Sequence, residues 1–343
     1  MKRTLCIVLL ALTTAVAGCA PGSVLSRPAT DLARSDLPRQ VEPEADEHDV
    51  RLLAAGNAAF ALDLYAALRG QPGNLFFSPH SIAQALAMTY AGAAGETERQ
   101  MREVLRFDLL DERVHPAWNA LDLALASRAE DLGPAEETGL TLHTANALWG
   151  QTGYAFRAEF LDTLAAHYDA GMRLVDYVSA AEEARQTINA WVSEETEGRI
   201  QDLIPEGALN EITRLVLTNA TYFYASWQDP FRVENTSDGK FFALDGDEVW
   251  VSMMRRQGHY RYVHSAGYRA IEIPYIGNAL VMTVIVPDAD RFEAFQAGLD
   301  AEQLQAIVGS LDTSELVDLA FPRFRCESAF SLGETLQALG MTD

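Results

Sequence analysis

From Leu215 to Phe223 the chain alternates with period two, placing Leu215, Leu217, Asn219, Thr221 and Phe223 on one face and Val216, Thr218, Ala220 and Tyr222 on the other. Nearly every position is β-branched, aromatic or aliphatic, so a strand covered on both faces is predicted. The lone amide, Asn219, must then find a partner, because an unpaired buried polar group costs about 1–3 kcal/mol. A helical period opens the folded part: Leu53, Phe60, Leu64 and Leu68 recur on one face and end before Gly70, which predicts an amphipathic helix over 48–69. Ser78 followed by Pro79 reads as an N-cap and first-turn proline. Thr97 with Gln100 and Ser179 with Glu182 read as capping boxes of two further helices, the second closing at Gly198. Strand patterns occupy 140–149, 172–177, 213–223, 240–244, 248–254, 260–265, 269–274, 279–286 and 316–325. Asp245-Gly246-Asp247 predicts a hairpin turn. Helices and strands do not alternate regularly, so the expected class is α+β rather than doubly wound.

Ahead of this pattern stands a leader with two basic residues, an apolar run and small residues before Cys19, the form of a secretory signal. Val16-Ala17-Gly18-Cys19 resembles the lipobox of bacterial lipoproteins, which implies acylation of Cys19. Each buried CH₂ would contribute about 0.8 kcal/mol to such an anchor. Residues 20–48 carry Pro21, Pro28, Pro38 and Pro43 among polar residues without a sustained apolar period. The division expected is therefore a signal peptide at 1–18, a lipidated cysteine and flexible tether at 19–47, and one folded domain at 48–343. A tether of this length reaches about 30 Å. The destination implied is the cell envelope, periplasmic or at the cell surface.

Composition narrows the chemistry. With 48% hydrophobic and 22% charged residues the chain has an ordinary globular composition. Its formal net charge of −23 becomes −25 once Lys2 and Arg3 leave with the leader, which opposes nucleic acid and anionic polysaccharide as partners. Cys6 leaves with the signal and Cys19 would be acylated, so Cys326 is left without an intrachain partner. It is expected to be a small buried hydrophobe sharing a strand face with Phe324. There is no G-x-S-x-G, H-E-x-x-H, P-loop or G-x-G-x-x-G motif, so no catalytic residue, metal or cofactor is expected. His259 and His264, five apart on a strand, would fall on opposite faces and form no metal pair.

Long segments carry a more specific signal. NLFFSPHSIAQALAMTYAGAAGETERQMREVL (Asn74 to Leu105), EEARQTINAWVSEETEGRIQDLIPEGAL (Glu182 to Leu209), the Thr213 to Phe231 strand segment, YRAIEIPYIGN (Tyr268 to Asn278), LVMTVIVP (Leu280 to Pro287) and FPRFRCESAFSLGETLQALGMTD (Phe321 to Asp343) resemble the serpin family in order along the chain. They are similar, in turn, to strand 6B with helices B and C, to helix F, to strand 3A, to sheet B in two pieces, and to strand 6A with helix I. The resemblance implies the serpin fold: a large mixed central sheet A, sheets B and C, and surrounding helices. In the family the segment resembling helix I is followed by strand 5A, the reactive-centre loop and further strands of sheets C and B. None of these is matched within the 343 residues. A serpin domain lacking its C-terminal part is therefore expected, with exposed ladder edges beside the 213–223 and 316–325 strands of sheet A.

The function implied is suicide inhibition of serine or cysteine endopeptidases by insertion of the cut loop into sheet A; the alternative is a non-inhibitory serpin acting as a tethered binding or chaperone-like protein. Ser78, Ser81 and Asn219 match the family's shutter, the polar cluster beneath the centre of sheet A, and Trp227 matches the tryptophan of the breach, where insertion begins. Each also has a plainer reading, as a helix cap, a helix residue, a satisfied core amide and a core aromatic. Tyr224-Ala225 departs from the Lys-Gly common in the family. The segment matching a heparin-binding helix D, His115 to Glu137, has Arg128 as its one Lys or Arg, so heparin is not expected as a partner.

Overall fold

The computed structural model describes residues 31–130, 132, 139–196, 198, 200–326 and 332–343. In chain order the elements are β1 (Leu32–Ala33), α1 (Glu47–Leu68), α2 (Pro79–Tyr90), α3 (Gly95–Val104), α4 (Asp111–Glu130), β2 (Leu140–Gln151), α5 (Ala158–Tyr168), β3 (Met172–Val175), α6 (Tyr177–Glu195), β4 (Leu215–Ala225), β5 (Thr236–Phe242), β6 (Glu248–Ser265), β7 (Tyr268–Pro274), β8 (Val281–Pro287), α7 (Phe292–Gly298), α8 (Ala301–Gly309), β9 (Ser314–Pro322) and α9 (Gly333–Leu339). Cys19 and the leader lie outside the described residues.

Two sheets result. The first has the order β1-β3-β2-β4, with β2 antiparallel to β4 from Leu140↔Ala225 to Gly150↔Leu215. Both of its faces are covered around Leu148 and Trp149, as the alternation of β4 predicts, whereas Leu215 and Phe223 near the ends of β4 are 39% and 37% exposed. On one, Leu148 and the half-buried Leu217 meet Met88 of α2 and Leu164 of α5. On the other, Ala147, Trp149 and Val216 meet Ile188, Trp191 and Val192 of α6. The second sheet has the path β5-β6-β7-β8, with β9 also paired to β6. The turn between β5 and β6 is the expected one: Gly246 has φ +87°, and the Asp247 N–H donates to Asp245 Oδ1 at 3.0 Å.

Helix starts follow the local rules unevenly. Asp46 caps α1 in a reciprocal box with Asp49, and Leu53, Phe60, Leu64 and Leu68 are buried along its inner face. Gly139, at φ +66°, precedes β2 and accepts the Ser226 N–H at 2.7 Å; a Cβ there would lie 2.3 Å from Ser226 Oγ.

Several expectations need correction. Thr97 lies inside α3 rather than at its cap, because the helix already begins at Gly95. α6 is capped by Asp176, whose Oδ1 accepts the Val178 and Ser179 N–H groups at 3.0 and 3.1 Å, and its helical path is interrupted at Ala180. The segments 248–254 and 260–265 belong to one continuous strand, since β9 pairs across Gly258 and holds it in the ladder. β9 pairs with β6 and not beside β4, so the 316–322 segment does not border the first sheet. Cys326 lies beyond the end of β9 and is half-exposed, though burial still raises its thiol pKa.

The N-terminal stretch from 31 to 46, read from sequence as part of the tether, is laid along the body. β1 pairs antiparallel with β3, Leu32 opposite Arg173 and Ala33 opposite Met172, and the Gln40 N–H donates to Ala166 O at 2.9 Å.

Candidate functional site

The Ser78 side chain does the work its position before Pro79 predicts. Its Oγ accepts the Ser81 N–H at 3.3 Å and donates to Ser81 Oγ at 2.8 Å. Ser81 is completely buried. Helix α2 packs against β2 and β4, so this hydroxyl pair lies on the face of α2 that supports the sheet.

One turn further along α2, Gln84 faces the same way and is 5% exposed. Its Oε1 accepts from Asn146 Nδ2 of β2 at 2.8 Å. Asn146 is directly opposite Asn219 in the ladder, which puts Asn219 at the centre of the sheet beside this contact. The side chain of Asn219 lies outside the described residues. The middle of the sheet therefore rests partly on an amide contact, whereas two residues further along Leu148 and Leu217 pack on Met88.

The polar chain continues away from the sheet. Gln84 Nε2 donates to Asp122 Oδ1 of α4 at 3.3 Å, and Asp122 Oδ2 accepts from Arg39 Nη2 at 2.5 Å. Arg39 Nε also donates to Asn119 Oδ1 at 2.9 Å, and Asn119 Nδ2 donates to Gln40 O at 2.7 Å. Buried polar groups joined this way hold a specific arrangement, yet each bond can be re-made elsewhere. Nearby His80 sits against Trp118, with ring centroids 5.4 Å apart; burial lowers its pKa while the charge of Asp122 pulls it the other way.

Sequence reasoning missed Gln84, Asn146, Asp122, Asn119 and Arg39. The signal for two of them was present: Gln84 is three residues after Ser81 on a helix, and Asn146 is a lone amide in a strand, as Asn219 is in its own.

Trp227 is not part of this cluster. It follows the end of β4, eight residues beyond Asn219, which is about 26 Å of extended chain. There it forms a β-bridge with Tyr275 and stacks on it, centroids 4.6 Å apart and planes 8° apart. Phe231 and Phe321 meet the indole edge-on at 6.2 and 6.5 Å, and Phe223 of β4 meets Tyr275 edge-on at 5.2 Å. This aromatic group joins the end of the first sheet to the second. No group of three or more metal-ligating side chains occurs among the described residues.

Comparison with known proteins agrees with this architecture. The model of the family described as Serpin (serine protease inhibitor) matches residues 55–343. An uncharacterised serpin-like protein of Thermococcus kodakarensis is 37% identical over 283 residues, which cover 82% of this chain and 64% of that protein. The leukocyte elastase inhibitor of Sus scrofa is 37% identical over 302 residues, covering 85% of this chain and 77% of the inhibitor. The structure of ovalbumin from emu (Dromaius novaehollandiae) superposes with a TM-score of 0.77 at 26% identity, over 84% of this chain and 78% of that one.

A sheet covered on both faces, a second sheet carrying the remaining strands, and a family match over most of the length define one class. The chain belongs to the serpin family, with the serpin fold and its sheets A, B and C. Serpins are in general protease inhibitors rather than enzymes. The four-stranded layer is sheet A.

Proposed function

We propose that the whole protein is a suicide inhibitor of serine or cysteine endopeptidases. A target enzyme attacks the peptide bond of an exposed loop, its nucleophile forms an acyl bond to the loop, and the amine leaves. The cut loop then adds to sheet A as a further strand before water can release the enzyme. Ser78, Ser81 and Asn219 act as the shutter in this reading, with Gln84 and Asn146, and Trp227 marks the breach. The observation that carries it is the support of β2 at its centre, where Asn146 is held by a re-pairable amide hydrogen bond to Gln84 of α2, beside the Ser78–Ser81 hydroxyl pair of the same helix. Interdigitated apolar packing would resist strand separation far more. The match to a leukocyte elastase inhibitor supports the same class of target.

The reading also places the protein at the bacterial cell envelope, with the 1–18 leader removed and Cys19 acylated as a membrane anchor. Its partners are the target protease and, through Cys19, the membrane; heparin and nucleic acid are not among them. The test uses the full gene product, including any residues encoded beyond Asp343, incubated with trypsin-like, chymotrypsin-like and elastase-like enzymes. A covalent complex that survives boiling in detergent is expected with at least one. Cleavage without a complex would overturn the inhibitory reading and leave a non-inhibitory, tethered binding protein.

A further inference from the structure

The docked N-terminal stretch ends on the same polar chain that reaches the middle of sheet A. At its start, β1 extends the sheet beyond β3, the Leu174 N–H donates to Asp31 O at 2.8 Å, Arg34 pairs with Asp169, and Ser35 Oγ donates to Asp162 Oδ1 at 2.5 Å. Further on, the guanidinium of Arg39 is held by two acceptors on α4, Asn119 Oδ1 and Asp122 Oδ2. Asp122 in turn orients Gln84, and Gln84 holds Asn146. Four side chains therefore lead without a break from the strap to the centre of β2.

The fit at the other end of the strap is close. Gly171, just before β3, would place a Cβ 2.9 Å from Arg34 Cβ and 3.1 Å from Ala33 O. Any larger residue there must push the strap away. Glycine at 171 is thus explained by the strap's approach rather than by its own backbone angles.

We propose that residues 31–40 form a clamp that regulates the opening of sheet A, and that its release loosens β2 and β4 through Arg39, Asp122, Gln84 and Asn146. Removing the guanidinium leaves Asp122 as a partly buried carboxylate without its cation, and Asn119 Oδ1 without its donor. Gln84 Nε2 is the donor left to Asp122, and drawing it further toward that carboxylate weakens its hold on Asn146. The strap thereby sets how easily the shutter gives way. This rests on the reading of sheet A as the layer that opens, but its test needs no protease, so it can fail while the inhibitor reading stands, and the reverse.

The measurement is backbone hydrogen exchange by mass spectrometry on the full chain and its variants. In Arg39→Ala, exchange over 140–151 and 215–225 should speed up about tenfold, the factor expected when a hydrogen bond to a charged group is lost. Exchange over 268–287, the β7–β8 hairpin, should not change. Arg39→Lys keeps the charge but not the two-acceptor fork, so an intermediate acceleration is expected. Gly171→Val should reproduce the Arg39→Ala pattern by lifting the strap from its other end, and Gln84→Leu should do so with the strap in place. Faster exchange confined to 111–130 and 158–168, the helices the strap touches, would overturn the proposal. So would a uniform acceleration that includes 268–287, because that pattern marks general destabilisation.

Discussion

Trp149→Ala should lower the unfolding free energy by about 3–5 kcal/mol, the cost of emptying a buried aromatic site. The indole is completely buried between β2 and α6 and meets Trp191 edge-on, with centroids 5.6 Å apart and planes 75° apart. Its Nε1 donates to Thr218 Oγ1 of β4 at 2.9 Å, so the substitution also takes a donor from a hydroxyl that is 1% exposed. The guanidinium of Arg173 lies 5.6 Å from the Trp149 ring and 5.1 Å from the Trp191 ring, which makes the pair the joint between β2, β3 and α6. Trp149→Phe keeps most of the volume and loses the N–H, so about 1–2 kcal/mol is expected. Urea midpoints of the two variants check this. Equal, small losses would mean that α6 is not held by this contact.

The second large effect is acid lability. His115 of α4 is stacked on His167 of α5, with centroids 6.2 Å apart, and its Nδ1 lies 2.8 Å from the Tyr168 hydroxyl. Burial, and next the neighbouring His167, pull its pKa from 6.5 down to about 4, against the attraction of Asp111. Burial lowers His167 as well. Tyr168, also buried, keeps its phenol protonated. The unfolded chain therefore takes up a proton near pH 6.5 that the folded chain refuses until about pH 4. Stability is complete above that range and is lost as pH falls through it, by about 3 kcal/mol for His115. Urea midpoints at pH 7.5 and 4.5 measure the loss, and His115→Gln should flatten the difference while keeping a polar contact with Tyr168. An unchanged pH dependence in that variant would refute the assignment.

What the sequence revealed follows from how local each signal is. The first helix, the Ser78 cap and the 245–247 turn are set by periodicity or by residues within one turn and stand where the pattern placed them; the strand expected at 213–223 runs from Leu215 to Ala225, and Leu215 and Phe223 remain exposed near its ends. The pairing of β9 with β6 is a contact between segments far apart in the chain, and a strand pattern does not say which neighbour it has. Gly258 looks like a break because glycine weakens a strand; the β9 ladder on that stretch outweighs it. The strap is not legible in the sequence, because Pro38 and Pro43 and a polar composition suit both a tether and a docked extended segment. Its hold comes from Arg39 and from the room left by Gly171, neither of which has a local signature. Of the residues proposed as the shutter, Ser78, Ser81 and Asn219 are named by resemblance alone, while Gln84 and Asn146 emerge only from the packing of α2 on the sheet.

The central claim is that sheet A accepts an additional strand beside β4. Hydrogen exchange over 215–225 in the full gene product, measured before and after an endopeptidase has cut its reactive loop, tests this directly. Exchange of those amides should slow by more than tenfold once the inserted loop closes a new ladder against β4. Exchange at an unchanged rate, in protein shown to be cleaved, would contradict the claim.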